Sequence, residues 1–508
     1  MRALLVTSVG VTCAAALTLP LAAPASSAPV LSAASARPPS LTTEPGTDTT
    51  DTSGTTAPDT TTTSDTTAPD GAELRAAKSA AAPAGFTQSL PLAPLAVPSN
   101  RVAGAPAVQG LPQRDARPFS LVGVVWDDAE AELHGTVQVR TRATGTTRWS
   151  DWQDVEAHNA DHAADLGSAE REGRTVRGAT APLWVGDSDG VEVRVRPESP
   201  AAPESPGSQD RAATPVPLPE GMRLELVDPG EDPAPEPARG APANRAAVPA
   251  VFADTPPTAA LPEVLTAEIA AASAVNAEVA ELGASVIPAL TQAETAESVN
   301  LAPGAKPYIG PRPRIVTRKG WGADEKLRER NFGYTKSVKA AFVHHSATGN
   351  NYTCKQAPSV LRSIYRYHVK SSGWRDFGYN FAVDKCGNIY EGRAGGVTKA
   401  VLGAHTLGFN TNTMGIAVLG SYGSTNPPAA AVTAVSKLTA WKLGLFGANP
   451  KGKVTLVSGG SNKYKKGVKV KMNVISGHRD GFATECPGAR LYKKLGTART
   501  SSAKLQGR

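Results

Sequence analysis

FVHHSATG, Phe342 to Gly349, begins as a short apolar strand and ends in two histidines; far downstream, GHRDGFATECPG, Gly477 to Gly488, sets His478 and Cys486 eight residues apart. Between these stretches the sequence alternates strand and helix signals. A strand is predicted at Ala340 to Val343, then a helix from about Pro358 to Lys370 with Leu361, Ile364 and His368 on one face. A hairpin follows in FAVDKCGNIYEGR, Phe381 to Arg393, turning at Lys385 to Asn388. The apolar run MGIAVLG, Met414 to Gly420, reads as a buried strand, and Ala429 to Leu445 as a helix with Val432, Val435, Leu438 and Leu445 inward. Strands interleaved with helices predict an α/β domain, a mixed β-sheet flanked by helices. Such sheets present functional side chains at strand ends and in the loops after them, where His344, His478 and Cys486 can meet. Taken singly, either histidine reads more readily as a hydrogen-bonded surface or core residue than as a ligand. Together, two imidazoles and a thiolate form a three-ligand zinc set whose fourth tetrahedral position stays open for water or substrate.

Composition limits how much of the chain can fold. Of 508 residues only 5% are aromatic and 42 are proline, so a large share reads as linker. Residues 1–28 read as a secretory signal: Arg2, an apolar stretch from Ala3 to Leu21, then small residues ending in Ser26-Ser27-Ala28. No other window is apolar and long enough to span a bilayer, so the expected product is exported, extracellular or cell-wall associated. Cys13 falls inside the signal, and three cysteines remain in a compartment that oxidises paired thiols. Cys354 and Cys386 lie in one compact region and can close a loop worth about 3 to 4 kcal/mol on the loop-entropy estimate. Cys486 is then left over, either held as a thiolate by a metal or simply buried.

Charge divides along the chain. From Leu301 onward Lys and Arg outnumber Asp and Glu 34 to 8, whereas before it they stand at 19 to 38. A basic C-terminal part suits anionic wall polymers or lipid rather than nucleic acid as a partner outside a cell, although a plainly solvated lysine face would look the same.

Residues 29–115, rich in Ala, Pro, Thr and Ser, read as a disordered stalk. An accessory β-sandwich is predicted over 116–228 from the runs FSLVGVVW, GTVQVRTR, GVEVRVR and MRLELV with turn residues between them. It holds Trp126, Trp149, Trp152 and Trp184, four of the seven tryptophans. Trp149 and Trp152 suit sugar stacking on an exposed turn, but tryptophans in a small sandwich more often belong to its core. Residues 229–306 read as an Ala/Pro-rich linker with a helix before Pro288, 307–497 as the α/β domain, and 498–508 as a basic tail.

The motifs VHHSAT, GWRDFGYNF, YEGR, GAHTLGFN, MGIAVLG and GHRD followed by TECPG stand in an order and spacing that resemble the peptidoglycan recognition protein family. The resemblance extends to the zinc amidases of bacteriophage-lysozyme type, which cleave N-acetylmuramoyl-L-alanine bonds. It runs from Pro307 to Thr497. It implies zinc on His344, His478 and Cys486, with His345 left out, and peptidoglycan as the partner; a monomer is expected, although oligomeric state is not readable from the residues. It implies a catalytic role for Tyr379, in GYNF, and for Thr484, which stands where the phage enzymes carry lysine. Threonine is the weaker donor to a developing oxyanion, so turnover slower than in lysine-bearing relatives is expected. His368 and His405 are expected to line the groove, and the loop bearing Trp374 to shape the peptide cleft.

Two departures stand out. The recycling amidases carry a glutamate where Ala417 follows Gly415-Ile416, so that carboxylate base is missing; Glu391 is the nearest candidate, with a structural ion pair as its other reading. The residues after YEGR, Ala394 to Val397, match neither animal version of the pair that tells diaminopimelate from lysine stem peptides. The expected activity is hydrolysis of the muramoyl–alanine amide, with a non-catalytic peptidoglycan-binding protein as the alternative. A generic zinc peptidase is disfavoured because no HExxH helix occurs.

Overall fold

In the computed structural model, the described residues are 85–95, 108–157, 162–168, 170–198, 216–233, 265–299 and 308–508. The expected signal peptide and most of the expected stalk lie outside them. The described residues form two modules, a β-sandwich and a mixed α/β domain.

The sandwich is one antiparallel hydrogen-bonded path. Its order is Thr87–Pro91, Arg223–Val227, Gln109–Trp126, Leu183–Pro197, Gly135–Ala143 and Gln153–Val155. The long strand Gln109–Trp126 slips register against Leu183–Pro197 between Leu111 and Arg114 and again around Phe119. Bulges of this kind bend a strand and let a single sheet fold over its own core. Alternation fills that core: Val191, Val193 and Val195 are buried, while Glu192 and Arg194 between them are only half-buried. Trp126 and Trp184 are core residues. Trp149 and Trp152 are half-buried and lie under arginines, with the Arg194 guanidinium 3.8 Å from the Trp152 ring centroid.

Three expected boundaries shift. Thr87–Pro91 pairs with Arg223–Val227 and buries Leu90, so the sandwich begins inside the segment read as stalk. Five residues amid Ala and Pro carry no periodicity that would reveal an edge strand. The expected linker contributes to the α/β domain: a helix, Ala267–Ala274, is capped by the Thr266 side chain, and Val286–Ile287 adds an antiparallel edge to the sheet through Ile315–Val316. The basic tail is the end of the helix Ala489–Leu505. There Ala498, Ser502 and Ala503 are buried and the Ser502 hydroxyl lies 2.7 Å from that of Thr439. Small residues allow two helices this close an approach, and they have little hydrophobicity to announce it.

The α/β sheet runs Ile475–Gly477, Ala340–His345, Thr413–Val418, Phe381–Val383, Ile389–Glu391, Ile315–Val316, Val286–Ile287. The first four strands are parallel, and the hairpin and the last edge are antiparallel. Thr413–Val418 is buried at every residue, as expected for a parallel strand covered on both faces. The helices Ala429–Leu445 and Ala489–Leu505 cover one face through Val435, Leu438, Leu491 and Leu495. The helix Ala357–Arg366 covers the other through Val360, Leu361 and Ile364. The disulfide Cys354–Cys386 ties the approach to that helix to the hairpin turn.

The second face is also where the modules join. Leu121, Val125, Trp184 and Val227 of the sandwich share one core with Tyr365, Tyr367 and Tyr379 of the α/β domain. Gly123 makes this possible, because a Cβ there would stand 2.4 Å from the Tyr367 hydroxyl. That hydroxyl donates to the Thr180 carbonyl at 3.1 Å, and the buried Ser371 hydroxyl donates to Glu225 at 2.9 Å. The accessory module is fused to the α/β domain rather than tethered beside it.

Candidate metal centre

Period-two alternation along Ala340–His345 sends Ala341 and Val343 to the core under the two long helices and Phe342 to the opposite face. His344 shares the Phe342 face, which is why it, and not His345, reaches the site. His345 turns away: its Nδ1 accepts from the Tyr422 N–H at 3.4 Å and its Nε2 lies 3.4 Å from Glu156. His478 follows the strand Ile475–Gly477 directly, at the start of a single helical turn. The loop then doubles back, with the Arg479 N–H donating to the Cys486 carbonyl at 3.0 Å. That closure converts an eight-residue separation into side-chain contact.

His344, His478 and Cys486 are fully buried and come together, with the Cys486 Sγ 3.8 Å from His344 Nδ1 and the two imidazole centroids 4.5 Å apart. A fourth side chain joins them from the sandwich. His162 places Nε2 3.6 Å from Cys486 Sγ and its ring 4.4 Å from that of His478. One donor atom from each of the four lies within 4.8 Å of the others. The donor set fits a divalent metal such as zinc: three imidazoles and a soft thiol, all buried. Burial first, then the neighbouring imidazoles of His478, His162 and His405, hold the His344 pKa well below its ordinary value, which keeps it in the neutral form that ligates. His162 is thus a fourth potential donor beside the three that the sequence reading expected.

Thr406 orients His344. Its hydroxyl lies 3.5 Å from His344 Nε2 and 3.0 Å from His405 Nδ1, and His405 Nε2 stands 3.4 Å from the Thr413 hydroxyl, which donates to the Phe409 carbonyl at 2.6 Å. Followed from that carbonyl, each hydroxyl donates once and accepts once. The chain is consistent with a proton on His344 Nε2, which leaves Nδ1 to face Cys486. Gly415 lets His405 lie flat on the central strand, since a Cβ there would meet the ring at 2.4 Å. Thr406→Val should lower metal affinity by about 10- to 100-fold while leaving the unfolding free energy within about 1 kcal/mol of the parent; competition with a chromogenic chelator reads the first and urea titration the second. Unchanged affinity would remove Thr406 from the site.

The other expected residues surround the cluster. The Tyr379 ring is 5.3 Å from that of His344 and 5.8 Å from that of His368. His368 stacks on Trp374 at 4.3 Å and accepts from the Gly378 N–H at 3.2 Å. Thr484 is half-buried, and its hydroxyl oxygen accepts from the Cys486 N–H at 3.2 Å. Glu391 is not in the group: it accepts from the Asn276 amide at 2.8 Å and the Arg318 N–H at 3.2 Å, and burial pushes its pKa up to about 7. Asn276 comes from the segment read as linker. Sequence reasoning missed Thr406 and His162. The only local hint of the latter is a histidine pair four residues apart, His158 and His162, in an acidic, alanine-rich stretch.

Fold and site together define a class: a mixed-sheet α/β domain that gathers imidazoles and a thiol where its parallel strands end. Residues 334–489 match the family described as N-acetylmuramoyl-L-alanine amidase, and residues 76–216 match one described as Rv3811 N-terminal galactose-binding domain-like. The chain belongs to the family of peptidoglycan-recognition proteins and N-acetylmuramoyl-L-alanine amidases. Peptidoglycan-recognition protein SC2 of Drosophila simulans is 30% identical over 185 residues, 36% of this chain and 85% of that protein. The N-acetylmuramoyl-L-alanine amidase of Homo sapiens is 30% identical over 194 residues, 36% of this chain and 28% of that protein. Among solved structures, Drosophila PGRP-LB is 25% identical with a TM-score of 0.29, over 36% of this chain and 92% of that one.

Proposed function

We propose that this protein is a secreted, zinc-dependent N-acetylmuramoyl-L-alanine amidase that hydrolyses the amide between N-acetylmuramic acid and L-alanine of peptidoglycan. The observation that carries the reading is the Cys486 thiol beside the imidazoles of His344 and His478 at the end of a parallel sheet. His344 through Nδ1, His478, and Cys486 through Sγ would hold the ion. When bound, zinc supplies Lewis acidity and brings the ionisation of water to about pH 7.

The rest falls to the chain's own groups. Thr406 fixes the face that His344 presents. Tyr379, whose ring lies 5.3 Å from that of His344, would orient the attacking water or the substrate oxygen. Thr484 has its oxygen engaged by the Cys486 N–H, which leaves its O–H to donate to a developing oxyanion. His368 and Trp374, stacked on each other, and His405 form the floor against which a stem peptide would lie. The positive charge beyond Leu301 favours attraction to polyanionic wall polymers.

Mass spectrometry of muropeptides after incubation with metal-replete and chelated protein tests this reading. Free stem peptides with N-terminal alanine should appear only with the metal-replete form. Cleavage at another bond, or cleavage indifferent to chelation, would overturn it. The burial of Tyr379, His368, Trp374 and His405 is the one observation favouring a second reading, a non-catalytic peptidoglycan-binding protein, which would sediment with wall and release nothing under either condition.

A further inference from the structure

The sandwich sends a strap, residues 162–168 and 170–177, between the loops that flank the cluster. On one side Asp165 accepts from the Gly408 N–H at 2.7 Å and the Asn410 amide at 2.8 Å, and that amide also donates to the Ala163 carbonyl at 2.9 Å. On the other side Glu170 pairs with Arg393, and Arg375 donates to the carbonyls of Glu170 and Glu172 at 2.8 and 2.9 Å. Further along, Arg174 pairs with Glu329 at 2.6 Å and donates to the Trp374 carbonyl at 3.1 Å. Beneath the strap the residues expected to meet substrate are closed off: His405 is 0% exposed, His368 2%, Tyr379 4% and Trp374 7%. His162, 4% exposed, is the side chain that the strap delivers to the cluster.

We propose that His162 is the fourth metal ligand of a latent form, by which the accessory module shuts the amidase site until the strap is withdrawn. The inference rests on the zinc-amidase reading and extends it to regulation. Three nitrogens and one sulfur complete the four-coordinate set that zinc takes in closed, structural sites, whereas hydrolysis requires one position to be exchangeable. Because His162 belongs to the same chain, it competes for that position at high effective concentration, and a substrate must first displace it. The modules have a hold that does not depend on the strap. Ion pairs and hydrogen bonds secure the strap, while a shared apolar core around Tyr367, with the Tyr367 and Ser371 hydrogen bonds beside it, secures the modules. The strap can therefore swing out while the modules stay docked.

The test uses the full chain loaded with Co²⁺, whose absorption reports the ligand set, together with azide as a small competing ligand. In the parent, azide should leave the spectrum unchanged. In His162→Ala it should shift the bands, and muropeptide hydrolysis should rise by about tenfold or more as the competent fraction approaches one. Asp165→Ala combined with Glu170→Ala loosens the strap without touching a ligand and should move both readouts the same way, which guards against a folding defect in the first variant. A parent that binds azide as readily as His162→Ala would overturn the latch, leaving the amidase reading intact if both hydrolyse equally. If azide reaches only the variants and none of the proteins cuts muropeptides, ligation by His162 stands and the amidase reading fails.

Discussion

Replacing Cys486 by serine is expected to reduce hydrolysis of the muramoyl–alanine amide by more than the roughly 100-fold that follows loss of a partner behind a metal ligand. Binding to purified wall should stay within about twofold, because no new charge or bulk enters the trough. The physical reason is the donor. A thiol surrounded by imidazoles becomes a thiolate on a divalent ion, whereas a serine hydroxyl stays protonated near neutral pH and is a poor ligand for a borderline-soft metal. The comparison is sharpest in a His162→Ala background, where the competing imidazole is gone. There the metal content of Cys486→Ser should fall together with its rate. A serine variant that keeps both metal and activity would refute the assignment of Cys486, and a parent and variant that bind wall equally without cutting would leave only the recognition reading.

The largest expected effect on stability lies behind the site. Arg318 is fully buried, donates to both oxygens of Glu325 at 2.7 and 3.3 Å, and reaches Asp376 at 3.1 Å and the Gly392 carbonyl at 2.5 Å. Asp376 in turn accepts from the Phe377 and Ala394 N–H groups, which fixes the GWRDFGYNF segment and hence Tyr379. Arg318→Met leaves the Asp376 carboxylate buried without its cation, and should cost about 3 to 5 kcal/mol in urea unfolding. Arg328, which also pairs with Glu325, cannot take over, because its guanidinium is directed to the other carboxylate and to the carbonyls of Glu329 and Arg330. Arg318→Lys should recover less than half of the loss, since one ammonium cannot reproduce the guanidinium fork. A loss below about 1 kcal/mol for Arg318→Met would show that these contacts contribute little net stability.

Some of this was legible in the residues alone. The helix Ala429–Leu445 has the bounds its periodicity predicts, the hairpin turns within Lys385 to Asn388, and Cys354 and Cys386 are joined. His344, His478 and Cys486 were readable as a group because each ends a strand or sits in the loop after one. Local patterns carry this kind of information: side-chain period, turn residues, and the spacing of donor types along one loop.

The edge strand Thr87–Pro91, the linker residue Asn276 beside Glu391 and the helix end at Leu505 could not be read in the same way. Each is too short, too polar or too small-sided to show a period, and each is fixed by partners distant in sequence. His162 is the extreme case, 324 residues from the cysteine it faces. The sequence by itself determined the α/β sheet, from side-chain period and turn residues along the chain, and singled out His344, His478 and Cys486 from the order and spacing of its motifs. Only the tertiary structure decided that a second module packs over those side chains and brings His162 beside them, because contacts between separate modules leave no trace in local periodicity.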